Sequence, residues 1–289
     1  MRQPPPSECR FALQRAAGRW RSAVAAALAS LGASRPGTAR LPGSTERMRR
    51  TMQLGAPVHA TLSYLTAGAG AATRVVLLHG TPGSAETWAD YLLAPPAGVE
   101  LLAPDRPGFG RSGPAGAVTG LAAQAAAVAA LLADDGRPTV LVGHSLGGAI
   151  VARVAAEHPR RVAALVLLAA SLDPALEQIH PLQRIGRRWP LCGLLPRAIR
   201  NANAELIALR DELVVLGGLL DRVTAPVLIV HGTADDLVPV ANVAYLQQRL
   251  VSTPCRRTLL LPGGNHFLPW NAEAGVRAAI GWAAAVRPC

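Results

Sequence analysis

"GHSLGGAIVARVAAEHP", residues 143–159, sets one serine between glycines and runs straight into an alanine- and valine-rich helical pattern. The residues before it, "TVLV" (139–142), form a short apolar run, so the stretch reads as strand, tight turn and helix. The pentapeptide Gly-x-Ser-x-Gly is weak by itself, since chance yields about 0.1 matches in a chain of this composition. Its context supplies the weight. A strand that ends at the serine, with a helix starting directly after it, bends the backbone sharply and lifts the hydroxyl above the sheet. Gly143 and Gly147 remove side chains that would collide where strand and helix close together. The helix N-terminus then aims free N–H groups and a partial positive charge at the serine, which suits an oxyanion. The plain alternative for Ser145 is a helix-capping residue.

Outward from this turn the chain alternates apolar runs with longer helical patterns. The runs are 59–65, 74–80, 99–105, 139–145, 161–169, 225–232 and 256–264, and their continuous hydrophobicity predicts strands covered on both faces. Helical patterns fall near 84–93, 117–133, 146–157, 240–251 and 271–285. This rhythm predicts an α/β fold: a mostly parallel central sheet with helices on both faces, spanning 53–172 and 223–289. The interval 173–222, with four prolines and several short helical patterns, reads as a helical insertion over the C-terminal edge of the sheet. Residues 1–52 read as a flexible arginine-rich extension.

A serine hydroxyl needs a base, and the base needs a group that holds its tautomer. Of the seven histidines, His266 in "LLLPGGNHFLPW" (259–270) sits where a final strand opens into a glycine-rich loop, a place that exposes catalytic side chains. His59, His158 and His180 read as structural. The acid comes from "VLIVHGTADDLVP" (227–239), where a strand ends and Asp235 and Asp236 compete; Asp235, three residues beyond Gly232, is the choice. Ser145, Asp235 and His266 all fall at strand C-terminal ends, the rim where open parallel sheets bind ligands. Asp173, before Pro174, reads as a helix cap rather than a triad acid.

Composition removes other chemistries. All 29 basic side chains are arginine, which excludes lysine Schiff bases and the phosphate loop ending in Gly-Lys-Ser/Thr. The net charge of +11 is concentrated in residues 1–50, where 10 arginines and 2 acids give +8. The body therefore carries no basic stripe, and nucleic acid is not expected as a partner. Cys9, Cys192, Cys255 and Cys289 lack metal-site spacing and read as free thiols of a reducing compartment. No charge-free apolar run reaches the roughly 18 residues of a membrane span. A cytoplasmic location is expected, with export or membrane-surface association through the extension as the alternative.

Taken together these residues resemble the α/β-hydrolase superfamily over residues 56–286. "LLHGTPGS" (77–84) is similar to the family's oxyanion loop, so the resemblance implies Thr81 and Leu146 as backbone oxyanion donors. It also marks Thr81–Pro82 for the cis form. "DRPGFGRSG" (105–113) resembles the loop after the family's next strand. The glycines in it also match a dinucleotide pattern, but Pro107 and Pro114 interrupt the required strand-to-helix turn. The insertion falls where the family places its lid, with Trp189 and the apolar runs 191–196 and 213–220 as pocket lining. Arg184, Arg187, Arg188, Arg197 and Arg200 there read as a solvated face or a carboxylate-attracting one. The implied activity is a serine hydrolase with a Ser145–His266–Asp235 triad, acting on an ester, thioester or lactone of a small to medium acyl group. No metal and no organic cofactor are implied. A carbon–carbon bond hydrolase with the same triad and a non-catalytic binding module are the rivals. A serine in place of aspartate disfavours dehalogenase and epoxide hydrolase chemistry, and "HGTPG" and "GHSLG" depart from the proline iminopeptidase pattern.

Overall fold

The computed structural model describes residues 45–179, 181–188 and 191–285. Eight strands form one sheet in the order β1-β2-β4-β3-β5-β6-β7-β8: β1 (Arg49–Gln53), β2 (Thr61–Ala67), β3 (Thr73–Leu78), β4 (Val99–Pro104), β5 (Thr139–His144), β6 (Ala164–Leu168), β7 (Val227–Gly232) and β8 (Arg256–Leu261). β1 and β2 run antiparallel to their neighbours and the remainder are parallel. This is the α/β architecture the alternating runs predict. Nine α-helices connect or flank the strands among the described residues: α1 (Ala89–Leu93), α2 (Leu121–Ala129), α3 (Leu146–Glu157), α4 (Pro181–Gly186), α5 (Leu191–Leu194), α6 (Arg197–Gly217), α7 (Asn242–Arg249), α8 (Leu268–Asn271) and α9 (Glu273–Ala285). None is long and apolar enough to cross a membrane.

β4, β5, β6 and β7 are buried at every position, because helices cover both faces of a parallel sheet. One face carries Val76, Leu78, Leu141, Leu165 and Ile229 against α2 and α3. Side-chain direction alternates along a strand, so Val75, Leu77, Val140, Val142 and Val230 meet Trp88, Tyr91 and α9 on the other face. β8 departs from the expectation of two-sided cover. Its pattern "RRTLLL" is exposed over five of six residues, as its position at the end of the sheet explains, and Arg256 and Arg257 there guard an edge strand.

The sheet also starts earlier than the boundary at residue 53. Strand β1 pairs with β2, Arg49 opposite Leu65 and Gln53 opposite Thr61. "RRTMQ" lacks an apolar run, so its strand character is invisible to hydropathy and comes from the partner edge. The Arg49 side chain is nearly buried, bonding Ser63 Oγ at 2.8 Å, Asp105 at 2.9 Å and Glu86 at 2.9 Å. Residues 1–44, with Cys9, as well as His180, Trp189 and Cys289, lie outside the described residues. Cys255 is disulfide-bonded, which corrects the reading of it as a free thiol: pairing follows spatial approach rather than sequence spacing.

The 173–222 interval also differs from a set of short helices. Its dominant element is α6, 21 residues long. In the run 213–220, Leu213, Leu216 and Leu220 join the main core while Val214 and Val215 face outward. Arg197 is half-buried, and its guanidinium donates to the carbonyls of Gly110, Ser112, Pro114 and Ala115. Asp173 accepts from Ala175 N–H at 2.9 Å, the capping role read from the following proline.

Candidate active site

Ser145 stands between β5 and α3 with φ 56° and ψ −126°, a region L-residues rarely enter. Backbone hydrogen bonds on either side hold it there: Ser145 N–H donates to Leu168 O, and Gly148 N–H to Ser145 O, both at 2.9 Å. The hydroxyl makes no capping bond to α3, so the helix-cap alternative is set aside. The glycines explain how the turn closes. A methyl at Gly143 would lie 2.4 Å from Gly147 O, and one at Gly147 would lie 2.6 Å from His79 O. Gly80 faces the serine itself, where a methyl would meet Ser145 Cβ at 2.8 Å and Oγ at 3.4 Å.

Asp235 and His266 are joined directly, Nδ1 of the imidazole lying 2.8 Å from Asp235 Oδ2. The other carboxylate oxygen accepts the N–H groups of Leu237 at 3.0 Å and Val238 at 2.8 Å. Burial opposes ionisation of Asp235, but the hydrogen bonds from His231 and His266 outweigh it and hold the carboxyl below its usual range. Asp236 is exposed, so geometry separates the two neighbouring acids. The β7–β8 rim closes tightly, because a methyl at Gly232 would sit 2.2 Å from Gly264 O.

Ser145 and His266 are linked through His144 rather than by a direct hydrogen bond. His144 Nε2 donates to the His266 carbonyl at 2.8 Å, and the two imidazole centres are 4.9 Å apart. The backbone bearing His266 is thereby held against the residue that precedes Ser145. His144 passed unremarked in the sequence, as did His231, whose Nε2 lies 2.9 Å from Val238 O and 3.5 Å from Asp235. Being core-facing strand residues, they carry no local signal beyond their identity.

His144 has a consequence for stability. Burial, followed by the charge of His266, brings its pKa down to about 3. An unfolded imidazole titrates near about 6.5, so between these values the unfolded chain takes up a proton that the folded protein refuses. Stability therefore falls as pH falls, by about 2 kcal/mol at about pH 5 from His144 alone. Denaturant melts at neutral pH and near pH 5 check this: His144→Gln is expected to lose less stability over the interval than the wild type. An equal loss in both would remove His144 as the source.

The loop after β3 carries His79, Gly80 and Thr81, with a cis Thr81–Pro82 bond as read. Among the described residues, no backbone carbonyl of a loop or turn accepts from the N–H of Thr81 or Leu146, and Leu146 opens α3, whose first N–H groups lack helical partners. His79 is buried; Arg106 N–H donates to its Nε2 at 3.0 Å, which leaves Nδ1–H to donate to Gly80 O at 2.7 Å. Burial, with the Arg106 charge second, keeps this imidazole well below the usual histidine range.

The model of the alpha/beta hydrolase family matches residues 75–279. A pimeloyl-[acyl-carrier protein] methyl ester esterase of Aromatoleum aromaticum is 32% identical over 61% of this chain and 85% of its own length. A non-heme chloroperoxidase of Streptomyces lividans is 33% identical over 62% of this chain and 80% of its own. Among solved structures, a hydrolase from Pseudomonas aeruginosa covers 82% of this chain and 98% of its own with a TM-score of 0.65 and 22% identity, a likeness of fold. Given this match over most of the sheet, and relatives that include esterases, the chain belongs to the α/β hydrolase family and is a hydrolase.

Proposed function

We propose that the protein is a serine hydrolase that cleaves an ester, thioester or lactone of a small to medium acyl group by way of an acyl-enzyme. The observation that carries this reading is the strained elbow at Ser145, with its hydroxyl released from capping. Ser145 Oγ attacks the carbonyl carbon while His266 Nε2 takes its proton. The Nδ1–H of His266 stays on Asp235, which fixes the tautomer and offsets the positive charge that forms on the ring. The N–H groups of Thr81 and Leu146 hold the tetrahedral oxyanion. His266 then protonates the leaving group, and water repeats the sequence and frees the acid. A Ser–His hydrogen bond that is long in the free enzyme commonly tightens once substrate is bound. The methyl ester esterase among the relatives supports the ester class, and the 173–222 segment serves in this reading as a lid that sets acyl length.

A panel of p-nitrophenyl esters of increasing acyl length tests the reading beside covalent capture of Ser145 by a fluorophosphonate. The expected result is a rate maximum at short to medium chains and labelling confined to Ser145. Turnover of a vinylogous diketone in preference to every ester would favour carbon–carbon cleavage. Absence of both turnover and labelling would leave a binding module and overturn the proposal.

A further inference from the structure

Among the described residues, one arginine–carboxylate pair is buried almost completely on both sides. Arg106 follows β4 and is fully buried, and Glu205, on α6, is 2% exposed. Arg106 Nη1 meets Glu205 Oε1 at 2.7 Å and Nη2 meets Oε2 at 3.1 Å, a two-pronged contact. Two more donors complete the carboxylate: Gln124 Nε2 on Oε1 at 3.1 Å and Thr81 Oγ1 on Oε2 at 2.6 Å. The guanidinium also donates back to the loop after β3, through Nε to His79 O at 3.2 Å and Nη2 to Gly80 O at 3.0 Å. Glu205 thus takes the hydroxyl of Thr81 directly and, through Arg106, is tied to the carbonyls of His79 and Gly80.

The surrounding contacts show why α6 is a firm support. Asn201, one turn before Glu205, donates to Gly108 O at 2.8 Å and Ala115 O at 3.1 Å, and Glu212, two turns after it, accepts from Leu121 N–H at 2.7 Å. Residues at these spacings share one helix face, so α6 is fastened to the loop after β4 and to the first residue of α2. The carboxylate of Glu205 is the part of that face that reaches the rim around Ser145. Burying such a pair is costly and breaking it costlier, and nothing in the packing of α6 requires a charge here, since Leu209, Leu213 and Leu216 bury that helix without one.

We infer that Glu205 is a positioning residue for the oxyanion loop: its carboxylate fixes Thr81 and, through Arg106, the two residues before it. The inference rests on the proposed role of Thr81 as an oxyanion donor. It carries a chemical corollary. The Thr81 hydroxyl is committed to Glu205, so Thr81 offers substrate its backbone N–H alone, at a place set by the inserted segment.

The test compares Glu205→Gln, Thr81→Val, Thr81→Ser and the Glu205→Gln/Thr81→Val pair on a p-nitrophenyl ester, with fluorophosphonate titration of active sites and thermal melts. Loss of one oxyanion donor costs about 100- to 1,000-fold in kcat, and a displaced donor is expected to lose part of that, about tenfold, with KM within about twofold. Thr81→Val should show a similar fall and Thr81→Ser, which keeps the hydroxyl, a smaller one, and the pair should be no slower than the worse single variant, because the Thr81–Glu205 contact is common to both. A merely structural Glu205 would lower the melting temperature while leaving kcat per titrated site unchanged, and that result overturns the inference, as do losses that multiply in the pair. Should Glu205→Gln fail to fold, the threonine variants decide: equal rates for Thr81→Val and Thr81→Ser overturn it, and a deeper fall for valine than for serine supports it. A wild type that neither labels nor turns over overturns the proposed function and this inference together, whereas a labelled wild type with indifferent variants overturns this inference alone.

Discussion

Ser145→Ala is expected to lower kcat on a p-nitrophenyl ester by about a millionfold and to abolish fluorophosphonate labelling. The loss is large because the elbow presents a single hydroxyl at the helix N-terminus, and no other serine or threonine replaces it there. His266→Ala should fall by a comparable factor, and the double variant no further, since in the proposed mechanism nucleophile and base work as one unit. A residual rate about 1,000-fold above water should persist from the oxyanion donors and binding. Steady-state kinetics on the three proteins, each checked by circular dichroism for an intact fold, read this out. A Ser145→Ala protein within tenfold of wild type would sink the acyl-enzyme reading.

The second large effect is expected at Asp235. Asp235→Asn should lower kcat by about 10,000-fold while preserving the fold. The carboxylate has one oxygen on the N–H groups of Leu237 and Val238 and the other on His266 Nδ1. An amide in that place either points its NH2 at those N–H groups or offers it to His266, and the latter selects the wrong imidazole tautomer. Because the native carboxyl is held below its ordinary range, it stays ionised throughout the working pH interval. Its contribution to stability is present above about pH 4, the unfolded value, and is lost as pH falls through the lower folded value. Asp236→Asn, at an exposed position, should stay within about twofold of wild type; a reversal of the two variants would move the acid by one residue.

These assignments show what a linear reading reaches. Hydropathy marks β2 to β8, as each has an apolar core stretch, and it misses β1, whose "RRTMQ" is made a strand by the exposed edge of β2. The elbow was legible because its geometry demands glycine at 143 and 147, and the pairing of Asp235 with His266 because both must emerge at one rim. The Arg106–Glu205 pair was not legible. A charged residue in an amphipathic helix looks solvent-facing, and its partner stands 99 positions away, beyond any periodicity. The 173–222 interval misled in the same direction: its prolines fall before α6, and from Pro196 onward the helix runs uninterrupted.

Arg49 sets a limit for anyone redesigning the gene. Asp105 accepts the N–H groups of Ala85 and Arg111 and pairs with Arg49, and it has no room to relax, since a methyl at Gly110 would already overlap its carboxylate at 2.1 Å. A shortened version that begins at residue 53, the core boundary read from the sequence, would strip away nearly all of the first strand and the only arginine that meets this acid side chain to side chain among the described residues. Any redesign of the leading end has to keep residue 49 onward, so that the first strand travels with the rest of the sheet.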